Sequence, residues 1–248
     1  MKIENTYYKN ESKIKNIKTD LRKHGSIGFF IKFSNFFKDL LISKFLFLKP
    51  KRIFMFDNKP FSYFYHPYNK TWKNERAIEI PIALSYLKEF KGKKILEIGN
   101  VLSHYVKTKH LILDKFEISS KVINQDVINF KSSIKFDLII SISTFEHIGI
   151  DDSIYNPKNS IKGIINIKNN CLSKDGVFLI SFPVNYNPAL TKLLEGNIFN
   201  YKIYCFKKIN NKNLWKQCSF EEIKDYKHQQ PVLGIIFLEI KKNTKIKC

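Results

Sequence analysis

Residues Lys94–Asn100, KILEIGN, decide the fold. An apolar pair, Ile95-Leu96, runs into Glu97, Ile98 and Gly99 before a turn. This pattern predicts a buried strand ending in a sharp loop that starts a helix. At the carboxyl end of a central parallel strand, such a loop is where nucleotide-like cofactors dock. Outward from it, HLILD (His110–Asp114) reads as a second strand, and a further apolar run ends at Asp126. FDLIISI (Phe136–Ile142) has the apolar run of a strand buried on both faces. VFLISF (Val177–Phe182) follows the turn Ser173-Lys174-Asp175-Gly176. Lys158–Leu172 between them reads as a helix, with Ile161, Ile164, Ile165 and Leu172 apolar.

Two connections are too short for the pattern. The link from Gly99 to His110 is short for a crossover helix, and the one from Asp114 to a short strand at Lys121–Asn124 is shorter. Either one flanking helix is missing or the Lys121 segment is a loop. Downstream, Lys202–Lys207 and Leu233–Lys241 read as a closing antiparallel pair around FEEIKDYK. Upstream, Asn74 can cap a helix starting at Glu75 that turns Ala77, Ile80, Leu84 and Leu87 inward and ends at Lys91-Gly92. Pro81 would kink that helix or begin its second half. The aromatic stretch before it carries turn signals at Asn58-Lys59-Pro60 and His66-Pro67.

The series EIGN, Asp114, Asp126, SISTFEH and LSKDGVFLISFP resembles the class I S-adenosylmethionine-dependent methyltransferases over roughly the last two-thirds of the chain. The resemblance implies an α/β, Rossmann-like sheet, mostly parallel with an antiparallel C-terminal strand. It places a methyltransferase domain at 74–248 and a helical or lid extension at 1–73. NERAIEIP, EIGNVLSHY, SISTFEHIG and FPVNYNP further resemble bacterial methyltransferases of surface-polysaccharide synthesis. That implies O-methylation of a sugar or phosphate-derived oxygen on a small-molecule or glycan-linked acceptor.

The resemblance also assigns the cofactor, S-adenosyl-L-methionine, to particular residues. Glu97 would place its amino-acid end. Gly99 would allow close backbone approach. Asn100 stands where the family has further glycines, and it can take a left-handed turn and donate a hydrogen bond. Asp114, with Glu117 as its fallback, would accept from the ribose hydroxyls. Asp126 and the Val127 backbone would meet the adenine, and Ser143 opens the loop at the mouth. His147 there is a candidate base and Glu146 its orienting partner. Equally, the Glu-His pair could cap the next helix. Arg76 is a candidate for an anionic substrate group or the cofactor carboxylate. Tyr65, His66 and Trp72 are candidate stacking residues, and Tyr186 lies in a second substrate wall.

The formal charge of +21 draws on 43 basic residues, of which only Arg22, Arg52 and Arg76 are arginine. A basic composition that is almost all lysine argues against nucleic acid, since phosphate readers favour the planar fork of arginine. An RNA methyltransferase therefore rests on net charge alone, and a nicotinamide dehydrogenase is disfavoured because GxGxxG is absent. Cys171, Cys205, Cys218 and Cys248 form no CxxC pair, so no zinc site is expected. A polar N-terminus and scattered cysteines suit a reduced, cytoplasmic setting. Phe29–Leu48 is amphipathic, with Phe29, Phe33, Phe36, Phe37, Leu40 and Leu41 on one face. It would pack on protein, or lie at the inner membrane face as a peripheral contact. The latter would suit a non-catalytic, membrane-associated partner protein that keeps the fold. No feature sets an oligomeric state.

Overall fold

The computed structural model describes residues 52–195 and 201–242, with further helical positions at Ser34, Lys38, Asp39, Leu41, Ile42 and Phe45. The chain divides into two compact units, 1–50 and 51–248. Apart from those six positions, the amphipathic stretch Phe29–Leu48 lies outside the described residues, as does Cys248. Residues 51–73, read from sequence as part of the extension, fall in the second unit. Among the described residues no helix is long and apolar enough to cross a membrane.

The second unit begins with a hairpin of Ile53–Phe56 (β1) and Lys59–Ser62 (β2). Asp57 and Asn58 join them with positive φ of 49° and 61°, a two-residue turn whose twist suits paired strands. Helix α1 spans Arg76–Glu89, followed by β3 (Ile95–Ile98), β4 (Leu111–Leu113), β5 (Val122–Ile123) and β6 (Phe136–Ile142). Helix α2 (Asn159–Asn170), β7 (Leu172–Pro183), helix α3 (Pro188–Glu195), β8 (Tyr201–Lys208), β9 (Trp215–Cys218) and β10 (Gly234–Lys241) complete it.

Strands β3 to β10 form one sheet in the order β5-β4-β3-β6-β7-β10-β8-β9. From β5 to β7 all pairs are parallel. β10 runs antiparallel to both β7 and β8, and β9 antiparallel to β8. This is the mostly parallel sheet with an antiparallel C-terminal strand expected from the sequence, extended by β9. The order reverses between β3 and β6, so a crevice opens beyond their carboxyl ends.

Period-two alternation distributes the sheet's side chains between two cores. Ile139, Phe178, Ile180, Phe182, Ile236 and Leu238 face α2 and α3. Leu138, Ile140, Ile142, Leu179, Ile235 and Phe237 face α1 and the hairpin. Helix α1 is buried well beyond the stripe expected from sequence: Ala77, Ile78, Glu79, Ile80, Ile82, Ala83 and Tyr86 are all buried, while Leu84 and Leu87 are half-buried. The helix lies between the sheet and the aromatic segment, so both sides of it are covered. Pro81 sits inside the helix without ending it. Its missing N–H leaves the Ala77 carbonyl free, and the N–H of Phe64 donates to that oxygen at 2.9 Å. The helix starts at Arg76 with Glu75 at its N-cap position, and Asn74 Oδ1, one residue earlier, accepts from the Arg76 N–H at 3.1 Å.

Both short crossovers lack a helix. The link from β3 to β4 holds one 3-10 turn, Leu102–His104. The link from β4 to β5 holds none, yet β5 pairs in parallel with β4. Side chains satisfy its backbone instead. Asp114 Oδ1 accepts from the N–H groups of Phe116 and Glu117, both at 2.8 Å. Asn124 Nδ2 donates to the Lys115 carbonyl at 2.7 Å. Residues 173–176, read as a turn, are part of β7, where the register shifts between Phe136 and Leu138 of its partner strand.

Phe56 ties the hairpin to the sheet, with ring centroids 4.6 Å from Tyr204 and 6.0 Å from Phe237. Phe56→Ala is expected to cost about 3–5 kcal/mol of unfolding free energy, as for other buried aromatics. Urea denaturation measures this; a loss below about 1 kcal/mol would mean the hairpin does not share the core.

Candidate active site

An open cleft lies at the β3/β6 reversal, where the loops after β3, β4, β5 and β6 meet. Gly99, at the exit of β3, forms its floor with φ +79°, a conformation that favours glycine. A Cβ there would lie 2.2 Å from Thr144 Oγ1, so the loops after β3 and β6 approach too closely for any side chain. Ser143, just before Thr144, also has positive φ, 38°, a strained value for a residue with a side chain. Gly99→Ala should therefore cost more than about 1 kcal/mol. Adding Thr144→Ala should recover part of the loss in the same denaturation experiment, because it removes the atoms of closest contact.

Asp114, Asp126 and Val127 line the same cleft. Only Oδ1 of Asp114 is engaged by the loop, through the two backbone donors described above. Asp126 accepts from the Ile128 N–H at 2.9 Å and pairs with Lys115 at 3.0 Å. Lys115 also reaches Asp152 at 2.9 Å, joining the loops that follow β4, β5 and β6. That bond holds the Asp152 carboxyl below the usual carboxylate range. Phe116 lines the cleft and is 74% exposed, a flat apolar face in reach of a ring.

Other expected cofactor residues act from behind the wall. Glu97 has no exposure, and both its oxygens are taken by the protein. Oε1 accepts from Val101 and Leu102 N–H at 2.9 and 2.7 Å, and Oε2 meets His110 Nε2 at 2.7 Å. Its carboxylate shapes the loop rather than facing the cleft. Asn100 lacks the left-handed conformation expected of it, because Gly99 supplies that turn. Its Nδ2 donates to Glu117 Oε1 at 2.6 Å, and its buried Oδ1 has no partner. The Ser143 hydroxyl turns inward and donates to Glu79 Oε1 at 2.7 Å.

His147 lines the cleft, with Nδ1 2.5 Å from Asp151 Oδ2. The Tyr186 hydroxyl donates to the same oxygen at 3.0 Å, and its ring lies 4.6 Å from both His147 and His228. Burial and the Asp151 bond push the Tyr186 phenol up to about 12. Behind His147, Glu146 is 1% exposed, its Oε1 3.9 Å from His147 Nε2 and its Oε2 without a partner.

Glu146 lies near a buried network centred on Arg76, without a hydrogen bond to it. The guanidinium bonds to Glu79 Oε2, while Oε1 of Glu79 accepts from the Ser143 and Ser181 hydroxyls at 2.7 and 2.6 Å. Burial alone would lower Arg76, but the carboxylates of Glu79 and Glu75 outweigh it and hold it above its ordinary value. An anionic substrate group, expected to meet Arg76, would meet these acids as well. Tyr65 stacks on Tyr63, and His66 Nδ1 accepts from the Tyr68 N–H at 3.1 Å. Trp72 is half-buried. These three lie on the segment before α1, and none lines the cleft.

Sequence reasoning passed over Lys115, Phe116, Thr144, Asp151, Asp152 and Glu79. The spacing of His147 and Asp151, four apart after a strand, was the one available signal.

Burial, with repulsion from Glu79, pushes the Glu146 carboxyl well above its ordinary 4.5. The folded chain then holds a proton there that the unfolded chain releases. This residue's contribution to stability therefore falls as pH rises above about 4.5. Glu146→Gln is expected to raise the thermal midpoint, with the gain over wild type widening from pH 4.5 to 8. A gain independent of pH would contradict the raised value.

No family model matches the chain, and no curated protein matches its sequence. Among solved structures it is similar to a TehB-like SAM-dependent methyltransferase from Corynebacterium glutamicum, at 16% identity and TM-score 0.39, over 64% of this chain and 86% of that one. It is similar to the N-methyltransferase NodS from Bradyrhizobium japonicum, crystallised with S-adenosylhomocysteine, at 12% identity and TM-score 0.44, over 68% and 89%. A third is 1,6-didemethyltoxoflavin-N1-methyltransferase from Burkholderia thailandensis, at 12% identity and TM-score 0.43, over 77% and 98%.

Proposed function

We propose that this chain is a methyltransferase using S-adenosyl-L-methionine, acting on a hydroxyl of a small sugar-type acceptor. The observation that carries the reading is the cleft at the strand-order reversal, lined by Gly99, Asp114, Asp126 and His147. Its residues suit the cofactor. Gly99 leaves a floor that a Cβ would fill. Asp114 stands at the end of the second parallel strand, where a carboxylate accepts from a ribose diol. Phe116 and Val127 offer apolar surface for adenine, with Asp126 beside them as an acceptor for its amino group. When bound, the cofactor supplies an electrophilic methyl group.

The protein's own part is alignment and proton handling. His147 takes the proton of the attacking hydroxyl at Nε2. Asp151, hydrogen-bonded at Nδ1, holds the ring and stabilises the imidazolium that forms. A neutral hydroxyl suits this arrangement better than a phosphate oxygen, because the carboxyls of Glu75, Glu79 and Glu146 surround the nearby arginine. A place in surface-polysaccharide synthesis at the cytoplasmic side is supported by the resemblance of NERAIEIP, EIGNVLSHY, SISTFEHIG and FPVNYNP.

Calorimetric titration of S-adenosylhomocysteine tests the reading. Asp114→Asn keeps the oxygen that closes the loop but loses the carboxylate. Wild type is expected to bind at micromolar Kd and the variant about tenfold more weakly, a loss of about 1.4 kcal/mol. Absence of binding to folded wild type would overturn the assignment. His147→Ala should keep cofactor affinity and lower methyl transfer about 10²–10⁴-fold, the range for loss of a general base.

A further inference from the structure

Next to the proposed base, the protein holds more hydrogen-bond acceptors than it can satisfy. Around Arg76 stand the carboxyls of Glu75, Glu79 and Glu146. Glu79 is complete: one oxygen takes the guanidinium and the other takes two serine hydroxyls. Arg76 makes its side-chain bond to Glu79 and balances one negative charge. Glu146 and Glu75 are left, each with a buried Oε2 that has no hydrogen-bond partner. Glu146 is 1% exposed, and its other oxygen lies 3.9 Å from His147 Nε2, the nitrogen that would receive the acceptor's proton.

Buried polar oxygens without donors are rare, and each calls for a partner. A phosphate or carboxylate would add only acceptors and more negative charge. A hydroxyl brings one proton, which the proposed reaction gives to His147. A protonated amine brings three donors and a positive charge, beside which Glu146 gives up to solvent the proton that burial keeps on it. We propose that the acceptor carries a protonated amine beside its reacting hydroxyl, received by Glu146 and Glu75 while the hydroxyl meets His147. The substrate class is then an amino alcohol such as an amino sugar. This rests on the methyltransferase reading of the cleft that His147 lines, with Glu146 directly behind that residue.

The competing cation is the α-ammonium of the cofactor itself, and the experiment separates the two. D-glucosamine and ethanolamine are titrated calorimetrically against D-glucose, ethylene glycol and D-glucose 6-phosphate, with and without saturating S-adenosylhomocysteine. Wild type and Glu146→Gln are compared, with near-ultraviolet circular dichroism confirming the variant's fold. In wild type each amine is expected to bind at least about tenfold more tightly than its neutral counterpart. In Glu146→Gln that preference should vanish, while affinity for S-adenosylhomocysteine stays unchanged. The proposal is overturned if amines bind no better than neutral compounds, if the phosphate ester binds best, or if no amine binds. It is also overturned if Glu146→Gln weakens S-adenosylhomocysteine itself, which would assign the carboxylates to the cofactor's ammonium. Failure of wild type to bind S-adenosylhomocysteine removes the cofactor reading instead. The titrations without it then still report whether the carboxylates receive an amine.

Discussion

The site depends on a carboxylate that never reaches it. Glu97 is fully buried on a central strand, with its oxygens shared between two loop N–H groups and His110. In an ordinary doubly wound sheet a crossover helix would hold the loop after this strand. Here that helix has shrunk to one 3-10 turn, and the hydrogen bonds to Glu97 do the holding. A buried charge with all its partners in place is tolerated; one stripped of a partner costs about 3–5 kcal/mol. The loop is therefore pinned in one conformation. Gly99 can then sit against Thr144, and the crevice between β3 and β6 keeps its shape.

The same economy recurs across the cleft. The loop between β4 and β5 has no helix, and Asp114 and Asn124 satisfy its backbone. Asp114 thus has two tasks, closing a loop with one oxygen and lining the cleft. Lys115 spans from this loop to Asp126 and Asp152 on the neighbouring ones. Short polar bridges replace packed helices around this part of the molecule. They set acidic and basic groups at the mouth of the cleft where helices would have set apolar ones.

Most strands were legible because a buried parallel strand is an uninterrupted apolar run. Ile95–Ile98, Leu111–Leu113, Phe136–Ile142 and Gly234–Lys241 all form within a residue or so of expectation. The hairpin at 53–62 was less so, although Asp57-Asn58 is a fair type I′ signal flanked by alternating residues. Strand β9 is short and half polar, and it exists because β8 offers it an edge. Asp114, Asp126 and His147 could be found because each follows a strand, and the sheet brings strand ends together. The direction of Ser143 and Glu146 could not. That of Ser143 is decided by Glu79, 64 residues away in sequence and brought near by helix packing. Phe116 and Asp151 sit in loops whose conformation leaves no periodic trace.

The central claim is that the crevice at the β3/β6 reversal holds the cofactor. A crystal structure of the protein with S-adenosylhomocysteine tests it most directly. The account predicts the ribose within hydrogen-bond reach of Asp114, the adenine against Phe116 and Val127, and the sulfur on the His147 side of Gly99. Density for the nucleoside at another site, or none in this crevice at saturating ligand, would contradict it.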